Sequence, residues 1–392
     1  MRLIVSADTH LGSPIRSVAL RNPELGERLK QASFDTFRRI VEVAISEAAD
    51  ALVLAGDIFD SDFPDLKSRA FLISQLTRAA SAGIPTVLIR GNHDALLDHT
   101  THGDLGPDIH LLHKGNPTVE IGDASFHGLS FEKSHQGNSF LPDYPEPVAG
   151  RVNVGLMHTS LGGSPSHDPY APCSEQDLLA HGYDLWCLGH IHLPFERRSG
   201  SALAVMPGIP QPRHYGERFG GGVAVVTLGD GDPQLEHRNV GHLKFIEAEL
   251  DLTDCRDQTE VLNKIGEALK SAQDPHLLTA VRLQIITTRH TTDDLRALAT
   301  ELLESIDDVF LDKIKVSPPK TLIDDKANDL ARLMRAEVQE DGFRQAGVEI
   351  LEDLRNALPA SIRDVLAEDV LTELLTEAID EVSLSLHGVD PQ

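Results

Sequence analysis

With 392 residues, 41% of them hydrophobic and 24% charged, the chain has room for two or three domains and the balance of an ordinary water-soluble protein. No apolar run approaches the roughly 18 residues that span a bilayer, Met1–Ser6 is too short for a secretory leader, and three widely spaced cysteines (Cys173, Cys187, Cys255) argue against a disulfide framework, so a reducing cytoplasm is the expected home. The formal net charge of −26 is far from the broad basic surface of a tight, nonspecific nucleic-acid binder.

In chain order, Leu3-Ile4-Val5 reads as a strand and is followed by Asp8-Thr9-His10. Helical spacing then runs over about 32–49, with Phe34, Phe37, Ile40, Val41, Val43, Ala44 and Ala48 on one side. A second strand, Ala51-Leu52-Val53-Leu54, leads into Gly56-Asp57-Ile58-Phe59-Asp60. A helix over Leu66 to Ala82 is stopped by Gly83 and followed by Pro85. The strand Thr86-Val87-Leu88-Ile89 precedes Gly91-Asn92-His93-Asp94. From about residue 117 short strands punctuated by Gly and Pro indicate a second sheet, and a layered α/β sandwich is expected. Within it, 152–156 leads to His158, a long loop runs from Thr159 to Cys173, and Leu185-Trp186-Cys187-Leu188 leads to Gly189-His190-Ile191-His192. Loops of that length are usually functional or disordered.

The character changes near Gly241. Residues 243–316 read as strand, helix (256–271), strand (278–287), helix (292–304) and strand (309–316), a small α+β domain with no cluster of metal-binding side chains. Pro318-Pro319 breaks the pattern, and the helical segment beyond is acidic: residues 326–392 hold 15 Asp and Glu against 6 Lys and Arg. Sixteen of the 19 histidines lie in residues 1–250, which confines any metal chemistry to the first segment.

Five times, then, a strand ends in metal-competent side chains, and the carboxyl edge of such a sheet is where α/β proteins place their sites. Singly, each cluster has an ordinary reading: Asp57 as a turn residue bonding its own backbone, Asn92 to Asp94 as a polar turn, the His190/His192 pair as a solvated loop. Their conjunction in this order points to a metal site. Carboxylate and amide oxygens with several imidazoles suit Mn²⁺, Fe²⁺ or Zn²⁺ better than Ca²⁺ or Mg²⁺ alone. No cysteine joins any cluster, which argues against a thiolate zinc site.

With these five clusters the chain resembles the calcineurin-like metallophosphoesterase superfamily over roughly residues 1–240. Within it, the chain looks like the SbcD-type DNA repair exonucleases, relatives of the meiotic-recombination-eleven nucleases. His167-Asp168-Pro169-Tyr170-Ala171-Pro172-Cys173, Gly182-Tyr183-Asp184-Leu185-Trp186 and 207–214 carry that narrower likeness, although Ile209 and Pro212 depart from the subgroup's pattern. The resemblance implies a four-layer α/β/β/α metallophosphoesterase sandwich (1–240), a small α+β capping domain that contacts DNA (241–318) and an acidic helical tail (319–392).

By motif, the resemblance also implies that Asp8, His10, Asp57 and His192 hold one divalent ion and Asp57, Asn92, His158 and His190 the second. His93 would act beside the scissile phosphate, with Asp60 orienting it; Asp94 and His127 are outer candidates. The whole reads as a cytoplasmic, two-metal, Mn²⁺-dependent DNA nuclease that attacks phosphodiesters with metal-activated hydroxide. Its expected partners are DNA ends or single strands and an SMC-like ABC ATPase of the SbcC type docked by the tail; the alternative for the tail is a helical cap on the protein's own core. A homodimer stays open, since residues 95–108, rich in His, Asp, Gly and Thr, make a poor helix. The alternative is a metallophosphatase or phosphodiesterase for small nucleotides or phosphoproteins.

Overall fold

Apolar residues at consecutive strand positions, rather than in alternation, set this architecture, because a strand covered on both faces needs both parities apolar. Leu3, Ile4 and Val5 of β1 (Arg2–Ser6) and all of β2 (Ala51–Ala55) are buried. The computed structural model describes residues 1–13, 15, 26, 29, 31–60, 64–96, 106, 108–162, 170–229, 231–319 and 333. The acidic helical tail, most of the Tyr170 motif ahead of Tyr170 itself, and much of 95–108 therefore lie outside the described residues.

The first six-stranded sheet has β1 and β2 beside β3 (Thr86–Ile89) and β4 (Ile109–Leu111), all parallel, with β11 (Gly222–Thr227) and β12 (Gln234–Asn239) added antiparallel next to β1. The second sheet runs β5 (Thr118–Ile121), β6 (Ala124–Gly128), β7 (Val152–His158), β8 (Leu185–Gly189), β10 (Ala202–Met206), β9 (Phe195–Ser199). Its four central strands are parallel and its edges antiparallel.

Strand parity then assigns the layers. Leu3, Val5, Val53, Val87 and Ile89 of the first sheet share a core with Phe126, Val154, Leu156, Leu185 and Val205 of the second. On the other face, Ile4, Leu52, Leu54 and Leu88 pack against α1 (Ala32–Ser46) and α2 (Leu66–Ser81) through Phe34, Phe37, Ile40, Leu72 and Leu76. Each such large apolar side chain contributes ~1.5–3 kcal/mol on burial. Among the described residues, the outer face of the second sheet is covered by the six-residue α3 (Glu175–Ala180) and by side chains of short turns and loops, including Leu141 and Tyr144, with no pair of long helices.

The helix ends follow local chemistry. Asp65 caps α2 by accepting from the Ser68 amide at 2.7 Å, and Gly83 leaves it with φ of 80°. The helix expected over 32–49 stops at Ser46, because Ala48 turns left-handed (φ 47°) and Ala49 N bonds back to Ala44 O at 3.0 Å. A glycine normally marks such a stop; here an alanine does, so the sequence carries no signal.

Two units can be separated by their internal contacts. The first comprises Met1–Ile246, Ala272–Val281 and Asp307–Asp312; the second comprises Glu247–Ser271, Arg282–Ile306 and Lys313–Gln392. Three strands, β13 (Leu243–Asp251), β14 (Leu278–Ile286) and β15 (Val309–Ser317), form a third sheet in that order. In the second unit, α4 (Gln258–Ala272) buries Val261, Ile265 and Leu269. There too α5 (Thr292–Leu303) opens on a capping box between Thr291 and Asp294.

Register sets the position of the site. Ser6 lies opposite Leu54, Ala55 opposite Ile89, and His158 opposite Gly189. The carboxyl ends of β1, β2, β3, β7 and β8 thereby come together at one rim.

Candidate metal centre

Four of the seven non-glycine residues with positive φ among those described belong to the predicted site: Asp8 (51°), His10 (40°), Asp57 (48°) and His190 (97°). Each costs on the order of 1–3 kcal/mol and persists only where its surroundings over-determine it. Here the strand ends are laced together. Asp8 N donates to Gly56 O at 3.0 Å, His10 N to Asp57 O at 3.1 Å and Leu11 N to Ile58 O at 2.8 Å. His190 N donates to both carboxylate oxygens of Asp8, each at 3.1 Å. Gly91 is required by close approach, since a Cβ there would strike Oδ1 of Asp57.

Three overlapping groups of side chains result, each with its ligand atoms within 4.8 Å of one another: Asp8, His10 and His192; Asp8, Asp57 and His158; and His10, Asp60 and His93. Asp8 is the member shared by the first two. The Nε2 atoms of His10 and His192 face each other at 3.3 Å. His158 turns Nδ1 to the Ala55 carbonyl at 3.0 Å, which aims Nε2 at Asn92 Oδ1 (3.0 Å) and Asp57 Oδ2 (3.3 Å). His190 Nδ1 reaches the same Asn92 oxygen at 3.2 Å. All seven predicted ligands are thus brought to one place. Buried carboxylate and amide oxygens converging with imidazole nitrogens are a donor set that first-row divalent cations fit.

His93 and Asp60 stand at the open side. The His93 side chain is 45% exposed, against 0% for His158 and 3% for Asp57. Its amide donates to Asp57 Oδ1 at 2.9 Å, its Nδ1 lies 3.4 Å from the Asp60 carbonyl, and its Nε2 lies 4.0 Å from Asp57 Oδ2. The Asp60 carboxylate is 4.0 Å from His93 but 3.0 Å from His10 Nδ1 and 3.2 Å from Arg213. The His10 contact is close in distance but off the line of a hydrogen bond.

Charge follows from this packing. Burial works to raise the Asp57 carboxyl, yet the charge and hydrogen bond of His158, with His10 and His93, hold it well below the usual carboxylate range. Burial works against a charged His158, but the Asp57 carboxylate wins and lifts it to about 9. His10, with no such dominant partner, is lowered by burial despite Asp60. Asp94 is pushed up to about 6, by burial first and then by the Asp57 charge. It accepts from Gly91 N and Ile58 N at 2.7 Å each and from Phe59 N at 3.3 Å, so this acid clamps the second and third ligand loops together. His127 instead bonds Thr118 Oγ1 and Asn153 Oδ1 and stacks on Tyr183, away from the ligands.

Two participants, Glu217 and Arg213, carry no assigned role in the sequence reading. Glu217, buried, accepts from His192 Nδ1 at 2.7 Å and from the guanidinium and amide of Arg213 at 2.9 and 2.7 Å. Burial alone would raise it; the hydrogen bonds from His192 and His214 and the Arg213 charge hold it far down. The nearest sequence signal was the polar run Gln211 to His214 after a strand; Glu217 itself sits 25 residues past His192 in a short turn with no periodicity to flag it.

This arrangement of two sheets with buried carboxylates and imidazoles at one rim defines a class. Residues 1–194 match the calcineurin-like phosphoesterase family, and this match with the clustered Asp and His side chains makes the chain a metal-dependent phosphoester hydrolase. Among curated proteins, the chain is 28% identical over 289 residues to a Bacillus subtilis protein described as the uncharacterized metallophosphoesterase YhaO, covering 72% of this chain and 71% of that one. It is 26% identical over 238 residues to the DNA double-strand break repair protein Mre11 of Methanopyrus kandleri, covering 54% of this chain and 49% of that one. For the protein of the same description from Sulfolobus acidocaldarius the identity is 24% over 302 residues, with coverages of 71% and 74%. The chain spans about half the length of the Methanopyrus relative.

Proposed function

We propose that the chain is a two-metal DNA nuclease of the SbcD type that hydrolyses phosphodiester bonds at DNA ends or in single strands, with Mn²⁺ as its working cation. The observation that carries this reading is the convergence of Asp8, His10, Asp57, Asn92, His158, His190 and His192 at one rim. Similarity to proteins described as DNA double-strand break repair proteins supports the choice of DNA.

Asp8, His10, Asp57 and His192 would hold one cation, and Asp57, Asn92, His158 and His190 the other. Bound there, two such ions supply an activated water and neutralise the phosphoryl oxygens. The chain's own groups do the positioning. The Ala55 carbonyl fixes the His158 tautomer, and Asp57 fixes the backbone of His93. With His93 Nδ1 donating to the Asp60 carbonyl, Nε2 is the atom that faces the cluster; as the imidazolium, His93 would pass its Nε2 proton to the departing oxygen and be left as the neutral Nδ1–H ring.

Cation binding at His158 must displace a proton, because Asp57 raises this imidazole to about 9. Affinity should therefore increase about tenfold per pH unit between 6 and 8 and level off above 9. Isothermal titration calorimetry in buffers of different ionisation enthalpy checks this through proton release; a pH-independent affinity contradicts the role of His158.

The net charge of −26 favours the rival class of small phosphoester substrates, so the decisive experiment is a comparison. Purified protein with Mn²⁺ is given end-labelled single- and double-stranded DNA, mononucleotides and bis-p-nitrophenyl phosphate, with a chelator control. DNA hydrolysis that the chelator stops supports the proposal. Efficient turnover of the small esters with intact DNA replaces it by the rival.

A further inference from the structure

We propose that Glu217, braced by Arg213, is a positioning residue for the metal centre: it sets the tautomer of His192 and ties that imidazole to Asp60 across the site. The inference rests on the metal-centre reading and concerns a residue outside the 1–194 segment that matches the family.

The argument begins with the proton on His192. Glu217 Oε1 lies 2.7 Å from Nδ1 and, as a carboxylate, can only accept, so Nδ1 carries the hydrogen. Nε2 is then left with its lone pair, and it is Nε2 that faces His10 Nε2 and belongs to the group with Asp8. A carboxylate behind an imidazole also makes the far nitrogen a stronger donor to a cation.

The carboxylate is itself fixed. Arg213 Nη2 donates to Oε1 at 2.9 Å and the Arg213 amide donates to Oε2 at 2.7 Å. The same guanidinium reaches Asp60 Oδ1 at 3.2 Å, and Asp60 touches His10 Nδ1 at 3.0 Å. The Arg213 guanidinium thus links the acid bonded to His192 with the acid that lies beside His10.

The backbone serves the same end. Ile209 N donates to His192 O at 3.0 Å, which ties the start of the loop to the ligand it supports. Gln211, buried, accepts from Thr36 Oγ1 at 3.1 Å and from His242 N at 2.7 Å, which pins the loop's middle. The loop is built to hold Glu217 still. A carboxylate serving only as the partner of Arg213 within its own loop would not need to reach His192 at all.

Co²⁺ titration, followed by visible absorption and calorimetry, separates the two roles in wild type, Glu217→Gln, Glu217→Ala and Arg213→Met. Loss of an outer carboxylate behind a ligating histidine costs about 10–100-fold in metal affinity. Glu217→Ala should therefore weaken one of two Co²⁺ sites by that factor and leave the other unchanged. Glu217→Gln, which keeps an acceptor oxygen but not the charge, should fall between it and wild type, and Arg213→Met should weaken the same site by less. Should Glu217→Ala fail to fold, the near-isosteric Glu217→Gln decides. Two unchanged Co²⁺ affinities in Glu217→Gln, whatever its melting temperature, overturn the positioning role and leave the metal centre standing. Failure of wild type to bind Co²⁺ overturns the metal centre itself, and this inference with it.

Discussion

With Asp57 as the proposed shared ligand, Asp57→Ala should lose hydrolysis by at least about 10³-fold, roughly 4 kcal/mol of barrier, and should lose divalent-cation binding at both proposed positions. The side chain is 3% exposed and stands amid three imidazoles that all act on its charge: His158, His10 and His93. It also fixes the loop of the next cluster, since Oδ1 accepts from His93 N at 2.9 Å. Removing it takes away a negative charge from the centre of the ligand set and leaves His158 without the partner that keeps it in place. Metal analysis of the purified variant, beside its rate on DNA, checks both halves of the prediction. A variant that retained two ions and lost only activity would show Asp57 to be something other than a shared ligand.

His93→Ala should behave differently. Its ring is 45% exposed and is not one of the seven side chains proposed to hold cations, so the fold and metal content should match wild type. Removing a general acid costs ~10²–10⁴-fold, and the loss should fall on kcat with KM little changed, as for an interaction made only in the transition state. The contrast between Asp57 and His93 separates ligand from catalyst in one experiment. Wild-type turnover by His93→Ala contradicts the assignment.

The convergence of the seven proposed ligands was legible in the sequence because each lies within a few residues of a strand's carboxyl end. An apolar run read at both parities places a strand between two covered faces, and the next polar residue then falls at the rim. The clusters holding Asp57, Asn92 and His190 stood out that way, with their individual roles implied by the family resemblance, and the helices over Ala32–Ser46 and Leu66–Ser81 by their apolar stripes. Other features depend on contacts between distant segments. The Asp94 clamp joins loops 36 residues apart, and Glu217 meets His192 across a turn whose residues have no period. The left-handed backbones at Asp8, His10, Asp57 and His190 were equally hidden, because those residue types give no glycine-like signal for positive φ. The outer layer of the second sheet, built of short turns and loops among the described residues, escaped for a related reason: Tyr144 and Leu141 reach the core from chain that no periodicity marks.

Anomalous diffraction at the manganese edge, from crystals grown with Mn²⁺, tests the central claim most directly. Two peaks are expected at the rim, one contacted by Asp8, His10, Asp57 and His192 and the other by Asp57, Asn92, His158 and His190. No peak there, or these side chains turned away from any peak that appears, would contradict the account.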